Sequence, residues 1–148
     1  MKVPMEGGCR CAETRIRITR APMMATACHC TGCQTMSASA FSLTLMVPAD
    51  GFEVIRGEPV IGGLKHADAQ HFFCPNCLSW MFTRPAGVPL VNVRPTMLDD
   101  HSDFAPYAET YVSEKLPWAV TGAVRSFEKF PDPSEYGALM AEYAAWAK

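Results

Sequence analysis

The feature that most constrains this chain is its cysteines: there are seven, and all fall in three tight clusters. The clusters are Cys9-Arg10-Cys11, Cys28-His29-Cys30-Thr31-Gly32-Cys33 and Cys74-Pro75-Asn76-Cys77. An odd number leaves one thiol outside any closed set of disulfides. The segment from Met1 to Gly8 lacks the apolar stretch of a signal peptide, and no run approaches the ~18 apolar residues of a membrane helix. The expected setting is therefore the cytoplasm. Thiols stay reduced there, and clustered cysteines bind metal more often than they form disulfides.

Zinc prefers four tetrahedral ligands with sulfur at ~2.3 Å, which sets sulfurs roughly 3.8 Å apart. Residues i and i+2 of an extended segment share a face and converge on one ion where the strand ends. The C-x-x-C spacing does the same through a tight knuckle, which Pro75-Asn76 favours. Seven ligands divide most simply as four plus three. Cys9, Cys11, Cys74 and Cys77 then close a structural site and tie together segments more than sixty residues apart. Cys28, Cys30 and Cys33 hold a second ion with one position open, the arrangement of a catalytic or ligand-accepting zinc. Two other readings are compatible with the spacing. The zincs can be purely structural, either two of them or one site with spare thiols, or the C-x-x-C pair can serve thiol–disulfide exchange. Against exchange, Cys74 does not open a helix in a βαβ pattern, and two further clusters go unexplained.

The rest of the chain supports one folded domain. In 148 residues, 49 % are hydrophobic and 19 % charged, enough to bury a core. A formal charge of −2 gives no strong positive field, which argues against nucleic acid or an anionic membrane as partner. The residues carry no signal for an oligomeric state. The expected domain spans 1–148, with a core over 7–131 and a C-terminal helix over 134–147. Period-two alternation predicts strands at 12–19 and 41–47, the latter with Phe41, Leu43, Leu45 and Val47 on one face opposite Ser42 and Thr44. Weaker strands are expected at 52–56, 70–74, 79–83, 90–94 and 107–112. Turns are expected at 48–51, 56–59, 61–63 and 85–87.

Two stretches read as helix. A short one follows Cys33 through Met36. In the other, over 134–147, Ser134 is the expected N-cap and Tyr136, Leu139, Met140, Tyr143 and Ala147 form one apolar face that packs on the sheet. The pattern is mainly β, with short antiparallel strands and hairpins.

Several other residues are candidates for a site. His29 lies between two ligands and is expected to point away from them, yet can serve as fourth ligand or proton relay. His71 is expected to pack. Asp99, Asp100 and His101 read as a loop. Up to Phe41 the chain carries Lys2, Arg10, Arg15, Arg17 and Arg20 against Glu6 and Glu13. These cations either screen thiolates, bind an anion, or line a solvated strand face.

Taken together the motifs resemble those of the glutathione-dependent formaldehyde-activating enzymes, a family that includes centromere protein V. The resemblance rests on Gly8-Cys9-Arg10-Cys11, the Cys28–Cys33 cluster, Ala40-Phe41, Gly57-Glu58-Pro59, His71-Phe72-Phe73-Cys74-Pro75-Asn76-Cys77 and Leu116-Pro117-Trp118. It runs from Gly7 to about Pro131. It implies an antiparallel β-tent-like zinc fold, a structural Zn²⁺ on Cys9, Cys11, Cys74 and Cys77, and a second Zn²⁺ on Cys28, Cys30 and Cys33. It also implies carbon–sulfur lyase-type chemistry, the condensation of glutathione with formaldehyde to S-hydroxymethylglutathione, with the second cluster catalytic. The partner is then glutathione or another small thiol adduct. The alternative is a non-catalytic zinc domain that binds a thiol ligand or a protein. Two positions depart from the family pattern: Ala12 and Leu78 stand where glycine is usual. Glycine eases a positive φ, so these two turns are expected to differ locally. The segment 100–104 and the C-terminal helix match nothing in the family pattern.

Overall fold

A computed structural model describes residues 2–147. The chain folds into two compact units, Met1–Pro22 with Leu45–Asp103, and Met23–Thr44 with Phe104–Lys148. The described residues form eleven strands and two α-helices, with short 3₁₀ turns between them, and the fold is mainly β.

The first unit contains a three-stranded antiparallel sheet of β1 (Met5–Gly8), β2 (Arg15–Ile18) and β5 (Phe52–Arg56), in that order. Ile16 and Ile18 alternate with Arg15 and Arg17, so one face is fully buried and the other carries the arginines. Gly7 is needed where β1 meets Leu98, because a Cβ there would lie 2.1 Å from the Met97 carbonyl oxygen. The unit also holds an antiparallel ladder. It runs from the Leu45–Pro48 part of β4 (Ser42–Pro48) through β9 (Leu90–Val93), β8 (Trp80–Pro85) and β7 (Ala69–Phe73) to β6 (Val60–His66). Leu45, Val47, Val91, Val93, Met81 and Phe82 are buried on it, and Phe82 stacks on Phe72 at 4.7 Å.

In the second unit β10 (Ala108–Thr110) lies between β3 (Met24–Cys28) and β11 (Arg125–Phe127) and pairs parallel with both. These parallel pairs add to a fold expected to be mainly antiparallel. The helix α1 spans Thr31–Ser37 and α2 spans Tyr136–Trp146. Leu139 and Tyr143 of α2 are buried where the helix packs against β3, and Tyr136 and Met140 are half-buried beside them. Ala147, the last residue of the expected face, is exposed. Its N-terminus differs from expectation as well. Asp132, not Ser134, caps the preceding 3₁₀ turn Pro133–Glu135, in a reciprocal capping box with Glu135.

Several strand boundaries moved for identifiable reasons. β2 starts at Arg15 rather than residue 12 because the chain is still turning through Ala12. The expected turn at 61–63 is the interior of β6, which accommodates Gly62 and Gly63 with an irregular register against β7. β10 ends at Thr110 because Tyr111 takes a left-handed conformation, φ 57°. Burial on β4 also departs from simple alternation. Ser42 and Thr44 are buried while Leu43 is half-buried, and the pattern changes at Leu45. The strands β1, β3, β6 and β11 gave no alternation strong enough to predict. Among the described residues no helix is long and apolar enough to cross a membrane.

Candidate metal centres

The structure brings the cysteines together in two groups, one in each unit. Within each, the Sγ atoms lie within 4.8 Å of one another: Cys9, Cys11, Cys74 and Cys77 in the first, Cys28, Cys30 and Cys33 in the second. In the first group Cys11 Sγ lies 3.4 Å from Cys9 Sγ and 3.6 Å from Cys74 Sγ. That is close to the roughly 3.8 Å that four sulfurs adopt around one zinc. All seven cysteines are free thiols. The donor sets suit a soft or borderline divalent ion.

The four-sulfur group is built by two backbone knuckles of the same design. In the first, the Ala12 amide donates to the Cys9 carbonyl at 2.9 Å and the Cys9 amide to the Thr14 carbonyl at 3.0 Å. In the second, the Leu78 amide donates to the Cys74 carbonyl at 3.1 Å and the Cys74 amide to the Ser79 carbonyl at 3.1 Å. Each knuckle closes through a left-handed residue, Ala12 at φ 61° and Leu78 at φ 56°. Both positions where glycine is usual in the family thus carry the positive φ that glycine eases. These residues adopt the glycine conformation themselves, at a cost of roughly 1–2 kcal/mol each. The Arg56 guanidinium also donates to the Ala12 carbonyl and braces the first turn.

Polar hydrogens aim at the sulfurs. The Thr14 amide donates to Cys9 Sγ at 3.3 Å, and the Ser79 hydroxyl lies 3.2 Å from Cys77 Sγ. The Ser79 hydroxyl is the main reason the Cys77 thiol is held down at about 5. At Cys11 the Glu13 amide pulls downward, but burial and the neighbouring thiols win and push it up to about 11. Burial raises Cys74, yet the amides of Cys77 and Asn76 bring it below its ordinary value. The group thus mixes thiolates and thiols sharing protons, and a metal ion would displace the remaining protons.

The three-sulfur group sits where β3 runs into α1. Cys28 ends the strand, Cys30 is the helix N-cap through its sulfur, which accepts from the Cys33 amide at 3.3 Å, and Cys33 lies in the first turn. The helix therefore begins before Cys33, two residues past His29, and includes the last ligand rather than following it. A hydrogen bond from Cys33 holds the Cys28 thiol down at about 5 against its burial, aided by the Cys30 backbone and the Thr110 hydroxyl. The same bond, with burial, pushes Cys33 far up. Burial raises Cys30. All three are half-buried, whereas Cys9 and Cys74 are 5 % and 0 % exposed.

Side chains distant in sequence brace this loop. The His29 amide donates to the Thr110 carbonyl at 2.9 Å, and the Thr31 amide donates to the Glu114 carboxylate at 2.6 Å. Gln34 Nε2 donates to the carbonyls of His29 at 2.6 Å and Glu114 at 3.0 Å. His29 itself is fully buried and lies outside the sulfur group. Its Nε2–H donates to Glu109 Oε2 at 3.0 Å, and its Nδ1 has no hydrogen-bond partner among the described residues. Glu109 also accepts from Lys115 at 2.8 Å, Thr121 at 2.7 Å and Ser126 at 2.8 Å. Burial works against its charge, but these donors hold its carboxyl down at about 2.

None of Ser42, Ser79, Glu109, Thr110, Tyr111 or Glu114 was singled out from the sequence. The available signal was the charged Glu109 in the middle of a strand pattern, a position that is normally apolar or paired.

The other candidates fall elsewhere. Arg15 pairs with Asp99 at 2.7 Å, Arg17 with Glu6 at 2.8 Å and Glu53 at 3.1 Å, and Arg20 with Asp50 at 2.6 Å. They form a solvated, paired strand face. His101 Nδ1–H donates locally to the Leu98 carbonyl at 2.9 Å, and Asp100 closes on Ser102. His71 contacts Thr83 at 2.9 Å and sits edge-on to Trp80.

Comparison with known proteins agrees with this architecture. The chain is similar in fold to a structural-genomics crystal structure of a Rhodobacter sphaeroides protein. The TM-score is 0.54 at 20 % identity, over 64 % of this chain and 88 % of that one. No curated protein matches. A sequence profile described as glutathione-dependent formaldehyde-activating enzyme matches residues 4–114, a stretch that contains all seven cysteines and the Glu109–Glu114 brace. On that match the chain belongs to the glutathione-dependent formaldehyde-activating enzyme family.

Proposed function

We propose that this protein is a zinc-dependent carbon–sulfur lyase-type enzyme that joins formaldehyde to the thiol of glutathione or a related small thiol. In this reading Cys9, Cys11, Cys74 and Cys77 hold a structural Zn²⁺, and Cys28, Cys30 and Cys33 hold a second. The observation that carries it is the partition itself, a four-sulfur group with two sealed members and a separate half-buried three-sulfur group. Four thiolates complete a tetrahedron, while three leave a vacancy that a substrate thiol fits.

When bound at the three-sulfur group, zinc keeps that thiol ionised. An ordinary thiol of pKa ~8.5 is ~3 % thiolate at pH 7, so full ionisation is worth about 30-fold, or ~2 kcal/mol. Lowered basicity also blunts the sulfur, with a Brønsted slope of ~0.4–0.5. Activation is thus modest and positioning must supply most of the rate. The chain contributes rigidity: Thr110, Glu114 and Gln34 fix the backbone of the Cys28–Cys33 loop, and Glu109 fixes His29 within it.

The test combines two measurements on reduced protein. Zinc per chain is determined, and exchange between glutathione, formaldehyde and S-hydroxymethylglutathione is followed by NMR. Two zincs and exchange faster than in buffer support the reading. Glutathione binding without faster exchange replaces it with a non-catalytic thiol-binding zinc domain.

A further inference from the structure

Addition of a thiolate to an aldehyde places negative charge on the aldehyde oxygen, so catalysis beyond thiol ionisation needs a hydrogen-bond donor beside the sulfur. His29 is turned into the Glu109 network, and the Thr110 and Ser42 hydroxyls are already engaged with the Cys28 and Cys33 sulfurs. Three geometric observations single out Tyr111 for this role.

The first is its place in the chain. Thr110 is the register partner of Cys28 on the neighbouring parallel strand and accepts the His29 amide at 2.9 Å. Glu114, three residues beyond Tyr111, binds the Thr31 amide at 2.6 Å. Tyr111 lies between two residues that are both fastened to the cysteine loop. The second is its backbone. A bulky residue at φ 57°, ψ 44° is a steric outlier, and strain of that kind is retained where the surroundings over-determine it, characteristically at functional sites. The third is the ring. It is half-buried and packs edge-on against Phe130 at 5.0 Å, while the hydroxyl has no hydrogen-bond partner among the described residues. Burial above all pushes this phenol up, so it keeps its proton and remains a donor.

We propose that Tyr111 is a catalytic residue whose hydroxyl donates to the aldehyde oxygen as a thiolate seated at Cys28, Cys30 and Cys33 attacks. The sulfur lone pair forms the carbon–sulfur bond and the carbonyl π pair moves onto oxygen. That oxygen takes a proton from water, equal to the one the thiol released on entering, and nothing is oxidised or reduced. This inference rests on the proposed function and adds the group that stabilises the oxygen.

The test is Tyr111→Phe, which keeps the ring on Phe130 and removes only the hydroxyl. Tyr111→Asn, a residue that tolerates the left-handed backbone, serves as the second variant. Glutathione affinity is measured by calorimetry and adduct exchange by NMR, beside the wild type. The expected result is unchanged glutathione affinity in the Phe variant and catalysed exchange slower by about tenfold or more in both variants. Wild-type exchange rates in the Phe variant, or a loss that follows weaker glutathione binding, overturn the role of Tyr111 and leave the proposed function intact. A wild type that does not accelerate exchange overturns both.

Discussion

The two cysteine groups are made of the same ligand and held by opposite means. The four-sulfur group is fastened by its own backbone: amides of residues 12, 14 and 78 close the knuckles within five residues of the sulfurs they serve. The three-sulfur group is fastened by side chains about eighty positions away, Glu109 on His29 and Glu114 on Thr31. Self-contained knuckles recruit little beyond the ligands and serve to join two distant segments. A loop held open by a buried carboxylate network keeps its shape without a fourth protein ligand, which is what a substrate-accepting site needs. On the proposed function, the contrast separates a part that holds the fold from a part that does chemistry.

The largest way to break this contrast is to remove a ligand from each side. On the proposed function Cys74→Ser removes a ligand from a structural zinc, and an ion of that kind contributes ~10–16 kcal/mol against ~5–15 kcal/mol for a whole domain. Loss of cooperative unfolding by circular dichroism is the expected outcome. Cys30→Ser should leave a folded protein with one zinc fewer, measured by metal analysis. Equal damage from the two substitutions would erase the distinction.

Next in size is the brace. Glu109→Gln keeps the shape and removes the charge that Lys115 and His29 share. Breaking a buried pair costs ~3–5 kcal/mol, so urea unfolding at pH 7 should show a destabilisation of about 3 kcal/mol. The sign with pH follows from the carboxyl held at about 2 against an ordinary 4.5. Its stabilisation is complete above pH 4.5 and is lost as pH falls toward 2, so the gap between wild type and variant should close over that range. A gap independent of pH would mean that the charge is not what stabilises the network.

The smallest effect concerns the knuckles. Leu78 is 68 % exposed and left-handed. Leu78→Gly relieves roughly 1–2 kcal/mol of strain and loses part of that to the freer unfolded chain, for a net gain near 1 kcal/mol. A rise of the thermal midpoint by a few degrees is expected. A lower midpoint would show that the leucine side chain contributes packing that outweighs the strain.

The same contrast explains what was legible in the sequence. The knuckles are local, so their spacing predicted which sulfurs meet within each pair, and strong alternation predicted strands such as β2 and β4. The brace was not legible, because nothing near Cys28 indicates that residue 109 or 114 will face it. β10 read as an ordinary strand through residue 112, and nothing in the sequence signals the left-handed Tyr111 that ends it at Thr110. Parallel pairing of β10 with β3 and β11 is likewise a long-range choice with no local signature. Ser42 looked like the polar side of a half-buried strand, yet it is buried and its hydroxyl bears on the Cys33 thiol.

The most direct test of the partition is cadmium-113 NMR of protein loaded with two equivalents of Cd²⁺, before and after glutathione is added. The account predicts two resonances in the sulfur-rich region. One stays fixed, and the other shifts with glutathione and disappears in Cys30→Ser. A single resonance, or movement of both with glutathione, would contradict it.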